Sequence, residues 1–173
     1  MINGIPDRVV AFNVYESGNK LVGVTGEVTL PDIEIQKGTL NVAGMTGEVE
    51  VPTLGRTSAM EIEIPFQVLY GDIYKLFTQN EIHELTLRAS IQLPDSSTSL
   101  LSTSGIKVFL KGIPNKLTTG KFSGNSTMDS SVTFSILYYL LEVDGKKQIE
   151  IDPLNSICYV NGKDMLEEVR KQI

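Results

Sequence analysis

Ser131-Val-Thr-Phe-Ser-Ile-Leu-Tyr-Tyr-Leu-Leu-Glu-Val143, then Asp144-Gly145, then Lys147-Gln-Ile-Glu-Ile151 is the stretch whose reading decides the fold. Asp-Gly between two apolar-rich runs is a strong hairpin signal, because both residues accept the positive φ that a two-residue turn demands. The pattern predicts a long strand over 131–143 that returns through 147–151, and hence antiparallel pairing. Upstream, Ile106 to Ile113 reads as a strand with Ile106, Val108 and Leu110 inward and Lys107 and Lys111 outward. Leu85 to Leu93 alternates in the same way, and Pro94 closes it because proline cannot donate to a ladder. Downstream, Asn161-Gly-Lys-Asp164 predicts the start of a terminal helix with Met165, Leu166, Val169 and Ile173 as its apolar stripe.

The front of the chain also reads as strands. Val9 to Tyr15 and Lys20 to Leu30 are rich in β-branched and aromatic residues, with Glu16-Ser-Gly-Asn19 as the turn between them and Pro31 as the stop. From Ile33 to Arg56, Gly38, Gly44, Gly47 and Gly55 punctuate short extended pieces. Glu48-Val-Glu-Val51 and Glu61-Ile-Glu-Ile64 alternate with period two, which predicts acids on one wet face and aliphatics on one packed face. Asp72 is expected to cap a short helix running to about Gln79, with Ile73, Leu76 and Phe77 inward. Residues 95–104 and 115–129 are polar and read as loops. With no repeat or linker, the 173 residues are expected to form one mainly antiparallel β domain with a middle helix and a C-terminal helix.

Charge narrows the function. The net charge is −6, which argues against a protein that grips nucleic acid through clustered Lys and Arg. Residues 26–64 hold Glu27, Asp32, Glu34, Glu48, Glu50, Glu61 and Glu63 against Lys37 and Arg56, so this one segment carries −5 of that total. A solvated acidic face accounts for such a segment without any further function. No apolar run approaches the ~20 residues that span a bilayer, so membrane insertion is not expected. Met1 to Asp7 lacks the pattern of a secretory signal. One cysteine, Cys158, forms no intramolecular disulfide framework and suits a reducing compartment.

Candidate chemistry is sparse. His83, the single histidine, has no Gly-x-Ser-x-Gly elbow to serve and reads as structural or surface. Cys158 sits between Ile157 and Tyr159, where a thiol behaves as a small hydrophobe. One Cys and one His do not make a structural zinc site. Glu48 with Glu61 could supply the paired carboxylates of a small acidic hydrolase, but no aromatic residue stands nearby to hold a sugar. Gly120-Lys121 lacks the Ser or Thr and the upstream glycine of a phosphate loop. Neither a catalytic set nor a cofactor is expected.

Two stretches resemble the major tail tube proteins of contractile-tailed phages and R-type bacteriocins. Val28-Thr-Leu-Pro31, a Lys37-containing extended segment and Ala43-Gly-Met45-x-Gly47 are similar to that family's first hairpin and long loop. The more specific match runs from Tyr138 through Val143-Asp-Gly-Lys146, Ile149-Glu-Ile-Asp152, Asn155, Val160-Asn-Gly162 and Leu166-Glu167. Residues 95–104 and 115–129 carry no match. The resemblance implies an antiparallel β-sandwich or barrel-like subunit that forms hexameric rings. The rings stack into a tube inside a contractile sheath, located in the virion tail, and the inner strands join into one barrel. It implies a long loop over 33–57, with Gly38, Gly44, Met45, Gly47, Gly55 and Arg56, touching the adjacent ring and subunit. Sheath, tape measure, baseplate and tail terminator proteins are the implied partners, and DNA passes through the lumen without specific binding. On that frame Glu48, Glu50, Glu61 and Glu63 become candidate lumen-lining residues, since carboxylates repel phosphates. A bacteriocin tube that carries no genome and a type VI secretion-like tube are the related alternatives.

Overall fold

The computed structural model describes residues 4–44, 46–96, 98 and 100–173. Among them, nine strands form one antiparallel sheet and two more form a separate hairpin. The main sheet is built on three long strands, β6 (His83–Pro94), β7 (Leu101–Thr118) and β8 (Ser130–Val143). β1 (Arg8–Glu16) and β2 (Asn19–Lys20) extend it beyond β6. On the other side of β8, two elements share its length. β5 (Glu61–Phe66) pairs with residues 130–135, and β9 (Lys146–Asp152) pairs with residues 139–143. β10 (Ile157–Val160) and β11 (Lys163–Asp164) continue from β9. β3 (Ile35–Leu40) and β4 (Val49–Thr57) make the separate hairpin.

One face of the sheet closes on a single core. Val14, Ile62, Ile64, Phe66, Leu85, Leu110, Val132 and Phe134 come from five strands and are nearly solvent-free in one cluster. Residues from β1 and β9 lie in that same cluster, so the sheet wraps around it in the sandwich or barrel-like manner expected. Bulges at Lys111/Gly112 in β7 and Pro114/Lys116 shift the pairing with β8 and let two such long strands bend.

The hairpin over 131–151 forms as predicted: Val143 pairs with Lys146 across Asp144 (φ 49) and Gly145 (φ 74). The Ser17-Gly18 turn behaves the same way, with Glu16 opposite Asn19.

Several boundaries differ from expectation. The strand over Lys20–Leu30 shrinks to Asn19–Lys20, because no continuous partner lies beside residues 21–30. That segment instead makes single bonds, Leu21 N to Val14 O (2.8 Å), Thr25 N to Pro65 O (3.1 Å) and Gln67 N to Gly23 O (2.8 Å). The middle helix is a 3₁₀ turn over Gly71–Phe77 with Tyr70 at its start, and Asp72 does not cap it but pairs with Lys75 at 2.6 Å. Residues 101–104 and 115–118 are strand and not loop. The Ser and Thr side chains in the first of these are carried by a full ladder with β6, and Ser102 donates to Leu93 O. Asn161-Gly162 is a hairpin turn, not a helix start: Val160 pairs with Lys163 across it. The terminal helix, α1, is confined to Glu167–Gln172, and it buries no residue.

Candidate assembly surface

The two period-two acidic segments have different surroundings. In Glu61-Ile-Glu-Ile64, Ile62 and Ile64 are 1% and 0% exposed, while both glutamates face solvent. Asn115 Nδ2 donates to Glu61 Oε1 (2.7 Å) and to Ser135 Oγ (2.8 Å), and Ser131 Oγ donates to Glu63. Register puts Glu61 opposite Ser135, and Glu63 in a row with Thr133 and Lys116. The outer face of β5, β8 and the end of β7 is therefore a hydrophilic wall with two carboxylates and one lysine.

Glu48-Val-Glu-Val51 lies on the separate hairpin and is not packed on either side. Cross-strand partners share a face, so Leu40 with Val49 and Gly38 with Val51 form one side, and Thr39 with Glu50 and Lys37 with Pro52 form the other. Lys37 Nζ is 3.4 Å from Glu50 Oε2, and both side chains are well exposed. Among the described residues the expected packed face for Val49 and Val51 is not formed, and neither joins the core cluster. Of the residues expected in this loop, Gly38, Gly44, Gly47 and Arg56 are exposed, and Met45 lies outside the described residues. Gly55 differs. Its φ is +63, and it sits against Leu166, just before α1.

The residues weighed for catalysis do not converge. Glu48 precedes β4 in the hairpin, whereas Glu61 is on β5 in the main sheet. His83 is buried, with Nδ1 3.1 Å from Glu16 Oε1 and its ring edge-on to Phe134 at 5.8 Å. Cys158 is buried in β10, where desolvation pushes its thiol pKa up and away from reactivity. The arrangement is that of a protein whose exposed features are edges, faces and loops.

A family model described as "Phage tail tube protein FII" matches residues 6–173. The chain belongs to that family. The tail tube protein of Escherichia phage P2 is 28% identical over 176 residues, spanning 98% of each chain. Two solved structures share the fold, both from cryo-EM of PVC, an extracellular contractile injection system in its extended state. The sheath/tube terminator structure has a TM-score of 0.57 at 16% identity, covering 80% of this chain and 97% of that one. The sheath-tube complex has a TM-score of 0.55 at 17% identity, covering 79% and 91%. Members of the phage tail tube family are structural components of a virion tail and not enzymes, which fits the absence of a convergent catalytic set among the described residues.

Within this tail tube chain, three features escaped the sequence. The uncovered aliphatic face of the hairpin needed the register of β3 on β4. The seat of Gly55 against Leu166 joins positions that no local pattern connects. The third is Phe122, which is 94% exposed on the loop between β7 and β8. Only its place in a Ser, Thr and Gly-rich stretch hinted at exposure.

Proposed function

We propose that this chain assembles with copies of itself into hexameric rings stacked as the inner tube of a contractile phage tail, a conduit for DNA during ejection. The observation that carries this reading is the hairpin of residues 33–57: Leu40, Val49 and Val51 share one face and are 46%, 46% and 45% exposed. An isolated two-stranded hairpin is marginal in water. Covering the half of such side chains that is still exposed is worth about 0.7–1.5 kcal/mol each. A neighbouring subunit is the cover that a tube supplies, and Gly38, Gly44, Gly47, Gly55 and Arg56, with Met45, belong to the loop that reaches it.

Sheet edges supply the lateral contact. Among the described residues, neither the outer edge of β1 over 8–12 nor that of β5 over 61–64 has a strand partner, and the two lie on opposite sides of the sheet. Unpaired edges invite pairing with another chain, and a head-to-tail contact of this kind closes into a ring when its rotation permits. Glu61 and Glu63 stand on the hydrophilic wall and are the better candidates for the lumen, with Lys116 moderating their charge. Glu48 and Glu50 would line it only where the hairpin reaches inward. Sheath, tape measure, baseplate and terminator proteins are the further partners of such a tube. The full-length similarity to the phage P2 tail tube protein supports the phage reading.

Electron microscopy of the purified protein tests this. Rings and tubes are expected; a protein that stays monomeric at high concentration refutes the proposal.

A further inference from the structure

Strand β7 runs for 18 residues, roughly 60 Å of extended chain, and so defines two ends of the subunit. At the end reached by Thr118, the loop of residues 119–129 presents Phe122, 94% exposed. The loop is braced and not slack. Lys121 N donates to Met128 O (2.8 Å), Lys121 Nζ pairs with Asp129 (2.7 Å), and Thr127 Oγ1 donates to Asp129 (3.0 Å). Gly120 has φ +77, and a Cβ there would lie 2.0 Å from Met128 O, so only glycine closes the loop. Met128 N donates to Gln67 O (2.7 Å), which sets the loop beside Val68 (48% exposed), while Gly23 O accepts from Gln67 N next to Val22 (79%). At the opposite end, Leu101 (67%) and Leu100 (70%) stand with Ile5 (60%), which is tied by its N–H to Pro94 O.

Lys116, near the Phe122 end, has no ion-pair partner among the described residues. Asp144, in the turn nearer the Leu101 end, accepts from Ser104 and from Gly105 N, and Lys146 lies close enough to act on its carboxylate. In a closed barrel the strand edges are consumed sideways, and strands tilt about 35–45° from the axis, so strand ends must face up and down.

We infer that the Phe122 end of one copy docks on the Leu101 end of another copy, making the ring-to-ring contact of the tube. The inference rests on the self-assembly proposed above. An exposed aromatic on a braced loop is of the type enriched at interface cores. The contact is heterologous, end A on end B, so it propagates without limit and makes a stack and not a closed dimer.

Three single variants test it by negative-stain microscopy and light scattering over a concentration series: Phe122→Ser, Leu101→Ser and, as a control on another exposed apolar side chain, Leu154→Ser. All three positions are exposed, so folding is preserved, and circular dichroism checks it. Phe122→Ser and Leu101→Ser should still give single rings but raise the concentration at which stacks appear roughly tenfold or more, whereas Leu154→Ser should stack like wild type. Normal stacking by Phe122→Ser overturns the inference and assigns the aromatic to another tail component, with the self-assembly reading intact. Loss of stacking in Leu154→Ser as well also overturns it, since the effect would not be specific to the ends. A wild-type protein that forms neither rings nor stacks refutes self-assembly itself, and this inference with it.

Discussion

Gly55 and Leu166 occupy the same small volume: a Cβ built on Gly55 would lie 2.5 Å from Leu166 Cγ and 2.6 Å from its Cδ2. Their contact joins the base of the β3–β4 hairpin to the C-terminal segment. Arg170, on α1, binds back to Ser156 O (2.7 Å) and to Asp164, so the Leu166 side of this contact is held.

Gly55→Ala should therefore be destabilising on two counts, the clash and a positive φ that costs an L-residue roughly 1–2 kcal/mol. A total loss of about 2–4 kcal/mol is expected by chemical denaturation. Leu166→Ala in the same chain should recover the clash portion, so the double-mutant cycle should show coupling of roughly 1 kcal/mol or more. Additive losses would mean that the side chains do not meet.

Ile64 and Val49 are both aliphatic positions of their period-two segments but should respond in opposite ways. Ile64→Ala removes a fully buried side chain and should cost about 2–5 kcal/mol of subunit stability. Val49→Ser should cost the isolated subunit less than about 0.5 kcal/mol, since the side chain is already exposed, yet reduce assembly. Denaturation midpoints together with sedimentation of assembled protein separate the two effects.

Glu61→Lys with Glu63→Lys reverses the charge of the hydrophilic wall while leaving Ile62 and Ile64 in place. Tubes are expected to form, and DNA ejection from the assembled phage is expected to slow, more so at low salt where screening is weak. The same exchange at Glu48 and Glu50 should slow ejection less. Wild-type ejection kinetics in the Glu61/Glu63 variant would remove these residues from the lumen.

Acid should weaken the fold through Asp144 and Asp164. The backbone N–H of Gly105 and the Ser104 hydroxyl hold the Asp144 carboxyl below its ordinary range, and Arg170 does the same for Asp164. A carboxylate depressed in the folded state contributes stability above its unfolded pKa and loses it as pH falls through the folded value. Urea midpoints should stay level from neutral pH down to about pH 5 and fall below about pH 4, near the unfolded carboxylate value. Asp144→Asn keeps an acceptor for Gly105 and tolerates φ 49, so it should shallow that acid-side fall without unfolding the protein.

The contrast between β5 and β4 shows where the sequence stops being informative. Period two told which residues share a face in both Glu61-Ile-Glu-Ile64 and Glu48-Val-Glu-Val51, but it said nothing about what would lie against that face. A core cluster that includes Leu69, Leu76 and Leu85 encloses the first; among the described residues that cluster holds neither Val49 nor Val51. The same limit explains residues 20–30, whose β-branched composition favours a strand that no continuous partner completes. It also explains residues 101–104, whose Ser and Thr are strand because β6 lies beside them.

The sequence by itself read Asn161-Gly162 as a helix start where the structure has a hairpin turn, but it determined the turns at Ser17-Gly18 and Asp144-Gly145 and the acidic bias of residues 26–64. These are local properties, settled by backbone sterics and by counting charge. Its C-terminal pattern also carried the family resemblance. Only the tertiary structure decided which aliphatic faces are buried, which sheet edges stay open, and that Gly55 and Leu166 meet. Those outcomes depend on partners distant in sequence, whose distance and register no period-two or turn signal encodes.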